Sequence, residues 1–197
     1  MNRRQLIQGV ALVAATSPLQ SLATIVESVA SRGARLGAAI VDAEDPGAAV
    51  FGEAFAQRGV PIHRVGHDLT DVYTRVLRPA WRAGATFAVA GMTAPAALFY
   101  LERLGWDAGM RLVLIGRHAD EAAPHTHEIV GPVVARDTFA HEVCSKDWPQ
   151  AAACAVLAVP ERARGLPGLV HTADAAIRSH RTLVSWLLAP RTAKVFE

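Results

Sequence analysis

The chain has 197 residues, 51% of them hydrophobic and 19% charged, with no low-complexity tract and no internal repeat. That profile fits one domain with enough apolar mass for its own core, and it excludes a disordered chain or a small scaffold that needs staples. The net charge of +2 includes Arg3 and Arg4, the only charged side chains before Glu27; without them the charges balance at 18 of each sign, and no Lys/Arg run forms a basic face for nucleic acid.

The N-terminal run Asn2-Arg3-Arg4-Gln5-Leu6-Ile7-Gln8 leads into a short apolar stretch to Ala15, and Ser21-Leu22-Ala23 supplies small residues. It resembles a twin-arginine export signal, with Gln8 in place of the usual lysine and Leu6 in place of the commoner phenylalanine. The resemblance implies cleavage after Ala23, a mature domain of residues 24–197 and a periplasmic or secreted destination. The alternative is a cytoplasmic protein whose first helix is amphipathic. Gln8 and Gly9 interrupt the stretch, which is too short for a transmembrane anchor. Cys144 and Cys154 suit either compartment, as a bridge or as two free thiols.

From residue 36 the chain alternates short apolar runs with segments of helical period, the pattern of βαβ units. Strands are predicted at 36–41, 61–66, 86–91 and 111–116. Helices lie between them: one from Asp45-Pro46 to Gly59, one from Thr70 or Asp71 to Gly84, and one from Pro95, capped by Thr93, to Gly105. The half-polar Ile62-His63-Arg64-Val65 marks the second strand as an edge, because the other three runs are apolar enough to be buried on both faces. A fifth strand is expected in 128–135, limited by Pro132. Beyond it come a helix from Asp147 to Val159 with a capping-box-like Asp147 and Gln150, a short strand at 166–171, and a final amphipathic helix at 175–188 ended by Pro190. The expected fold is three-layer α/β with a mainly parallel sheet in the flavodoxin-like, Rossmann-like order 2-1-3-4-5.

In such a sheet ligands bind beyond the strand C-termini, near the point where strand order reverses. Those ends carry Asp42, Glu44 and Asp45, then His67, Asp68 and Asp71, then Gly91-Met92-Thr93, then Arg117 and His118. Asp45 and Asp71 are the natural helix caps, whereas Asp42 and His118 directly follow buried strands and point to a crevice. Asp42, His67, Asp68 and His118 are the candidate catalytic residues. Asp42, Thr93 and Arg117 are the candidate ligand contacts, the last two for an anion at the helix N-terminus that starts at Pro95.

The segment from His118 to Glu128 is the densest in metal donors. His125-Thr126-His127 has strand spacing for two imidazoles on one face, and His118, Asp120 or Glu121 could complete a zinc set. Against the dinucleotides NAD and FAD stands the lack of Gly-x-Gly-x-x-Gly after the first strand, where Asp42 and Glu44 would repel a pyrophosphate. No phosphate-binding Gly-Lys-Ser/Thr loop and no Gly-x-Ser-x-Gly elbow occur. Asp42-Ala43-Glu44 is similar to the paired acids of haloacid-dehalogenase-like phosphatases, but the second acid is Glu and the downstream lysine has no counterpart. His180 falls on the apolar side of the final predicted helix, as a hydrogen-bonded core histidine would.

Three functions are compatible with these residues. The leading one is an exported domain that binds a small molecule in the crevice. The second is a metal-dependent hydrolase in which the His/Asp cluster activates water. The third is a structural or interaction protein with an apolar patch near Trp186.

Overall fold

A computed structural model describes residues 35–84, 87–119, 125–159, 169–174 and 182–191. The export-signal reading, the cleavage site, Asp120, Glu121 and His180 lie outside them. Strand β1 (Leu36–Asp42) is followed by helix α1 (Pro46–Ala56), strand β2 (Ile62–Val65) and helix α2, which runs from Thr70 to Arg82 in three segments. Then come β3 (Ala88–Thr93), α3 (Pro95–Asp107), β4 (Met110–Ala119), β5 (His125–Val130), α4 (Val133–Glu142), α5 (Trp148–Leu157), β6 (Leu169–Asp174) and β7 (Leu183–Pro190).

The fold is α/β, but the sheet is mixed. Its seven strands lie in the order β2-β1-β3-β7-β4-β5-β6. Only β2, β1 and β3 are parallel neighbours; β7 is antiparallel to both β3 and β4, and β5 and β6 continue the antiparallel half. The edge position of β2 and the order 2-1-3 agree with its half-polar pattern, and β4 still runs in the direction of β3. What fails is their adjacency, because β7 lies between them.

The segment that forms β7 was expected to be the second half of a helix. Leu183-Val184-Ser185-Trp186-Leu187-Leu188-Ala189 is buried at every position. Leu183, Leu187 and Ala189 enter one core, and Val184, Trp186 and Leu188 the other. That is a period of two with both faces covered, which a central strand provides and an amphipathic helix does not. A continuous apolar run is ambiguous between the two states until its neighbours are known.

Three further boundaries differ from expectation. The fifth strand stops at Val130, and Pro132 occupies the N-cap of α4. Proline lacks the N–H that a ladder needs and is tolerated at a helix start. Helix α3 passes through Gly105, which is buried and packs so closely on Met110 that an added Cβ would lie 3.2 Å from its Cβ, and the turn falls at Gly109 with φ +73°. Asp147 is the N-cap of α5 without a side-chain hydrogen bond.

The two cores make three layers. Helices α1, α4 and α5 cover one face with Phe51, Phe55, Phe139, Trp148 and the alanines of α5. Helices α2 and α3 cover the other with Val72, Leu77, Trp81, Leu98 and Leu101. Helix α2 contains a π-helical turn, Tyr73–Leu77, in which the Arg78 N–H reaches back to the Tyr73 carbonyl. Pro79 follows directly; it has no N–H and its ring crowds the carbonyl four residues earlier, so a widened turn relieves the conflict.

Candidate functional site

Strand order reverses between β1 and β3, since β2 lies on one side of β1 and the rest of the sheet on the other. Above that point is a pocket of about 70 Å³ lined by Asp42, Val65, His67, Leu69, Thr93, Ala96, Ala97 and Tyr100, with Glu44 also on its wall. Its residues come from the C-terminal ends of β1, β2 and β3 and from the first turns of α3. Of the predicted site residues, the fold therefore brings Asp42, His67 and Thr93 together.

Asp42 ends β1 and is 6% exposed. Its Oδ1 accepts the Glu44 N–H at 2.9 Å, and no ion pair reaches it among the described residues. A buried carboxylate has room for about four acceptor contacts, so most of its capacity remains open. His67 is exposed at the mouth.

Thr93 is buried and occupied. Its hydroxyl accepts the Trp186 Nε1–H at 3.1 Å and faces the Ala94 carbonyl at 3.2 Å. The N-cap of α3 is Ala94 and makes no side-chain hydrogen bond, so Thr93 is not the helix cap the sequence suggested. Trp186 fits over Gly91, where a Cβ would stand 2.2 Å from the indole and 2.7 Å from the Ile40 carbonyl. Thr93 thus belongs to a β3–β7 clasp that shapes the pocket floor.

The other acidic candidates are structural. Asp45 is buried and caps α1, accepting the Gly47 and Ala48 N–H groups at 2.8 and 3.1 Å. Asp68 accepts the Thr70 N–H at 2.8 Å before α2, and the hydrogen bonds from Thr70 hold its exposed carboxyl below the ordinary range. Asp71, the expected cap, instead pairs with Arg75 at 3.4 Å on the surface.

A second polar cluster lies in the other half of the sheet. His118 on β4 and His127 on β5 are opposite each other in the ladder, with Nδ1 atoms 3.0 Å apart. His118 Nε2 is 2.9 Å from Ser185 Oγ on β7. All three are buried, and the Trp148 ring lies 4.5 Å from the His118 ring and 5.2 Å from the His127 ring. Phe139 closes the same space. Gly116 is obligatory here, since a Cβ would fall 2.4 Å from Ser185 Oγ and 3.0 Å from His118 Nε2.

Burial, reinforced by the neighbouring His127, holds His118 well below its ordinary pKa of 6.5, so the ring is neutral at pH 7. Within the chain, either Ser185 donates to His118 and His118 to His127, or both donations reverse. The connectivity resembles nucleophile, base and orienting group. Its burial leaves no described approach for a substrate, and the rings act as a hydrogen-bonded plug between sheet and helices.

The predicted metal set does not assemble among the described residues, where no three His, Cys, Asp or Glu side chains converge. His125 begins β5 opposite Asp174, while His127 is committed to His118. Arg117 is exposed and pairs with Glu128 at 3.1 Å rather than joining Thr93 over the pocket. Ladder registers show why: Thr93 and Arg117 both pair with Val184, from opposite sides of β7. Two strand spacings, about 10 Å, separate them, and Asp42 is one spacing farther. Asp42 and His118 therefore cannot act on the same atom.

Ser185, Trp148 and Tyr100 complete these two clusters and have no role in the sequence reading, while Trp186, expected beside an exposed apolar patch, is fully buried because its segment is a central strand. Ser185 is the one polar residue in its apolar run, a signal visible in the sequence but uninterpretable while the run was read as helix. No known family, curated protein or solved structure matches the chain, so the functional reading rests on this geometry.

Proposed function

We propose that the protein binds a small molecule in the pocket over the ends of β1, β2 and β3. The observation that carries this reading is the concave, largely apolar site at the strand-order reversal with the buried Asp42 carboxylate in its wall. At about 70 Å³ the pocket takes one small group, or the end of a longer ligand whose remainder lies along Tyr100 and His67. Export of the domain is part of the same proposal: an Arg3→Lys/Arg4→Lys double variant should fail to reach the periplasm if the N-terminus is a twin-arginine signal.

Thermal denaturation against a library of small metabolites tests the binding reading. A ligand at a hundred times its Kd should raise stability by about 2.7 kcal/mol. Ala97→Trp fills the pocket from α3 and should abolish that gain while leaving the ligand-free protein folded. A stabilising ligand unaffected by Ala97→Trp binds elsewhere, and the assignment fails.

The hydrolase alternative gains no support from the described residues. Asp42 and His118 are three strands apart, and the imidazoles are packed under Trp148.

A further inference from the structure

Resting on the small-molecule reading, we propose that the group bound in this pocket is an organic cation with N–H donors, a primary or secondary ammonium on an apolar stem. Burial of a carboxylate is costly unless the charge is compensated, and helix caps, ion pairs and hydrogen bonds are the usual compensation. Asp42 receives one backbone N–H, from Glu44, and no ion pair among the described residues. Contrast Asp45, three residues later and equally buried, whose carboxylate receives two N–H groups at a helix start. The remaining acceptor capacity of Asp42 belongs to a cavity wall, where a ligand ammonium would supply the missing donors.

The surroundings favour an organic cation over an anion or a metal ion. Glu44 adds a second carboxylate to the wall, and the opposing positive field is the N-terminus of α3, worth about half a charge. The Asp42 carboxylate alone outweighs that half charge. A metal ion would need at least one more donor group than Asp42 and Glu44, and no group of three donor side chains forms among the described residues. Val65, Leu69, Ala96 and Ala97 instead provide apolar contact for a stem, and the aromatic Tyr100 lines the same pocket, a side chain of the kind that attracts cations.

Isotope-labelled full-length protein titrated with propylammonium, 1-butanol and butyrate at constant ionic strength provides the test. These probes are similar in size and differ in head-group charge. Propylammonium should move the amide resonances of Thr93, Ala96 and Tyr100 saturably, and Asp42→Asn should weaken it by about tenfold or more. Asn keeps the acceptor for the Glu44 N–H, so the variant should stay folded, which its spectrum reports directly. Stronger saturable binding of butyrate or butanol at the same amides overturns the cation assignment and leaves the pocket reading standing. If none of the three moves those amides, both fall. Propylammonium binding that Asp42→Asn does not weaken also overturns the assignment.

Discussion

Two buried polar sites in one sheet solve the same problem in opposite ways. In the half built from β7, β4 and β5, His118 engages His127 and Ser185 with both ring nitrogens and is roofed by Trp148 and Phe139. In the parallel half, Asp42 is buried to a similar degree, yet it has one backbone partner and borders a cavity. A polar group whose partners all come from the chain serves the fold. One whose partners fall short, beside empty space, is available to a ligand. Polarity or burial alone would rank His118 above Asp42, and the difference in satisfaction reverses that order.

The comparison breaks most visibly at Trp148. Trp148→Ala should cost about 3–5 kcal/mol in urea unfolding, because it removes a fully buried aromatic that covers both imidazoles. The variant that remains folded should bind pocket ligands with unchanged affinity. Altered affinity would show that the two regions are coupled.

Ser185→Ala should cost about 1–3 kcal/mol, since it leaves the buried His118 Nε2 without its partner. A near-neutral result would mean that the Ser185 hydrogen bond contributes little to the plug.

The pH dependence sharpens the same contrast. The folded pKa of His118 is depressed, so below about pH 6.5 the unfolded chain takes up a proton that the folded chain refuses. The stability associated with a neutral His118 is present above that pH and is lost progressively as pH falls toward the folded value. The urea midpoint should therefore drop between pH 7.5 and pH 5, and the drop should shrink in His118→Gln. An equal drop in both proteins would place the proton uptake elsewhere.

The smallest effects belong to groups outside the plug. Arg117→Ala should change stability by about 0–1 kcal/mol, as expected for an exposed ion pair. Asp42→Asn should leave stability unchanged or raise it by up to about 1 kcal/mol, the behaviour of a charge retained for binding at some expense to the fold. A large loss of stability in Asp42→Asn would make the carboxylate a structural group and remove the contrast between the regions.

Much of the parallel half was legible from residue patterns. Leu36 to Asp42 is apolar until its last residue, which placed Asp42 at a strand end. The half-polar Ile62 to Val65 identified an edge. The crevice above β1 and β3 followed from those two features and the rule for open sheets. The antiparallel half was not legible, because Leu183 to Ala189 has no polar periodicity to distinguish strand from helix. With β7 misread, Ser185 had no visible relation to His118, 67 residues earlier. The catalytic candidates Asp42 and His118, and the ligand contacts Thr93 and Arg117, therefore lie farther apart than a shared site allows.

By itself the sequence determined the α/β class, the parallel β2-β1-β3 core and the position of Asp42 at a strand end, because those follow from local periodicity and helix-end chemistry. Tertiary structure alone decided that β7 separates β3 from β4, that His118 closes on His127 and Ser185 under Trp148, and that Asp42 borders a cavity. The physical reason is that strand adjacency and the satisfaction of a buried polar group depend on residues far apart in the chain, and no local pattern records which of them will meet.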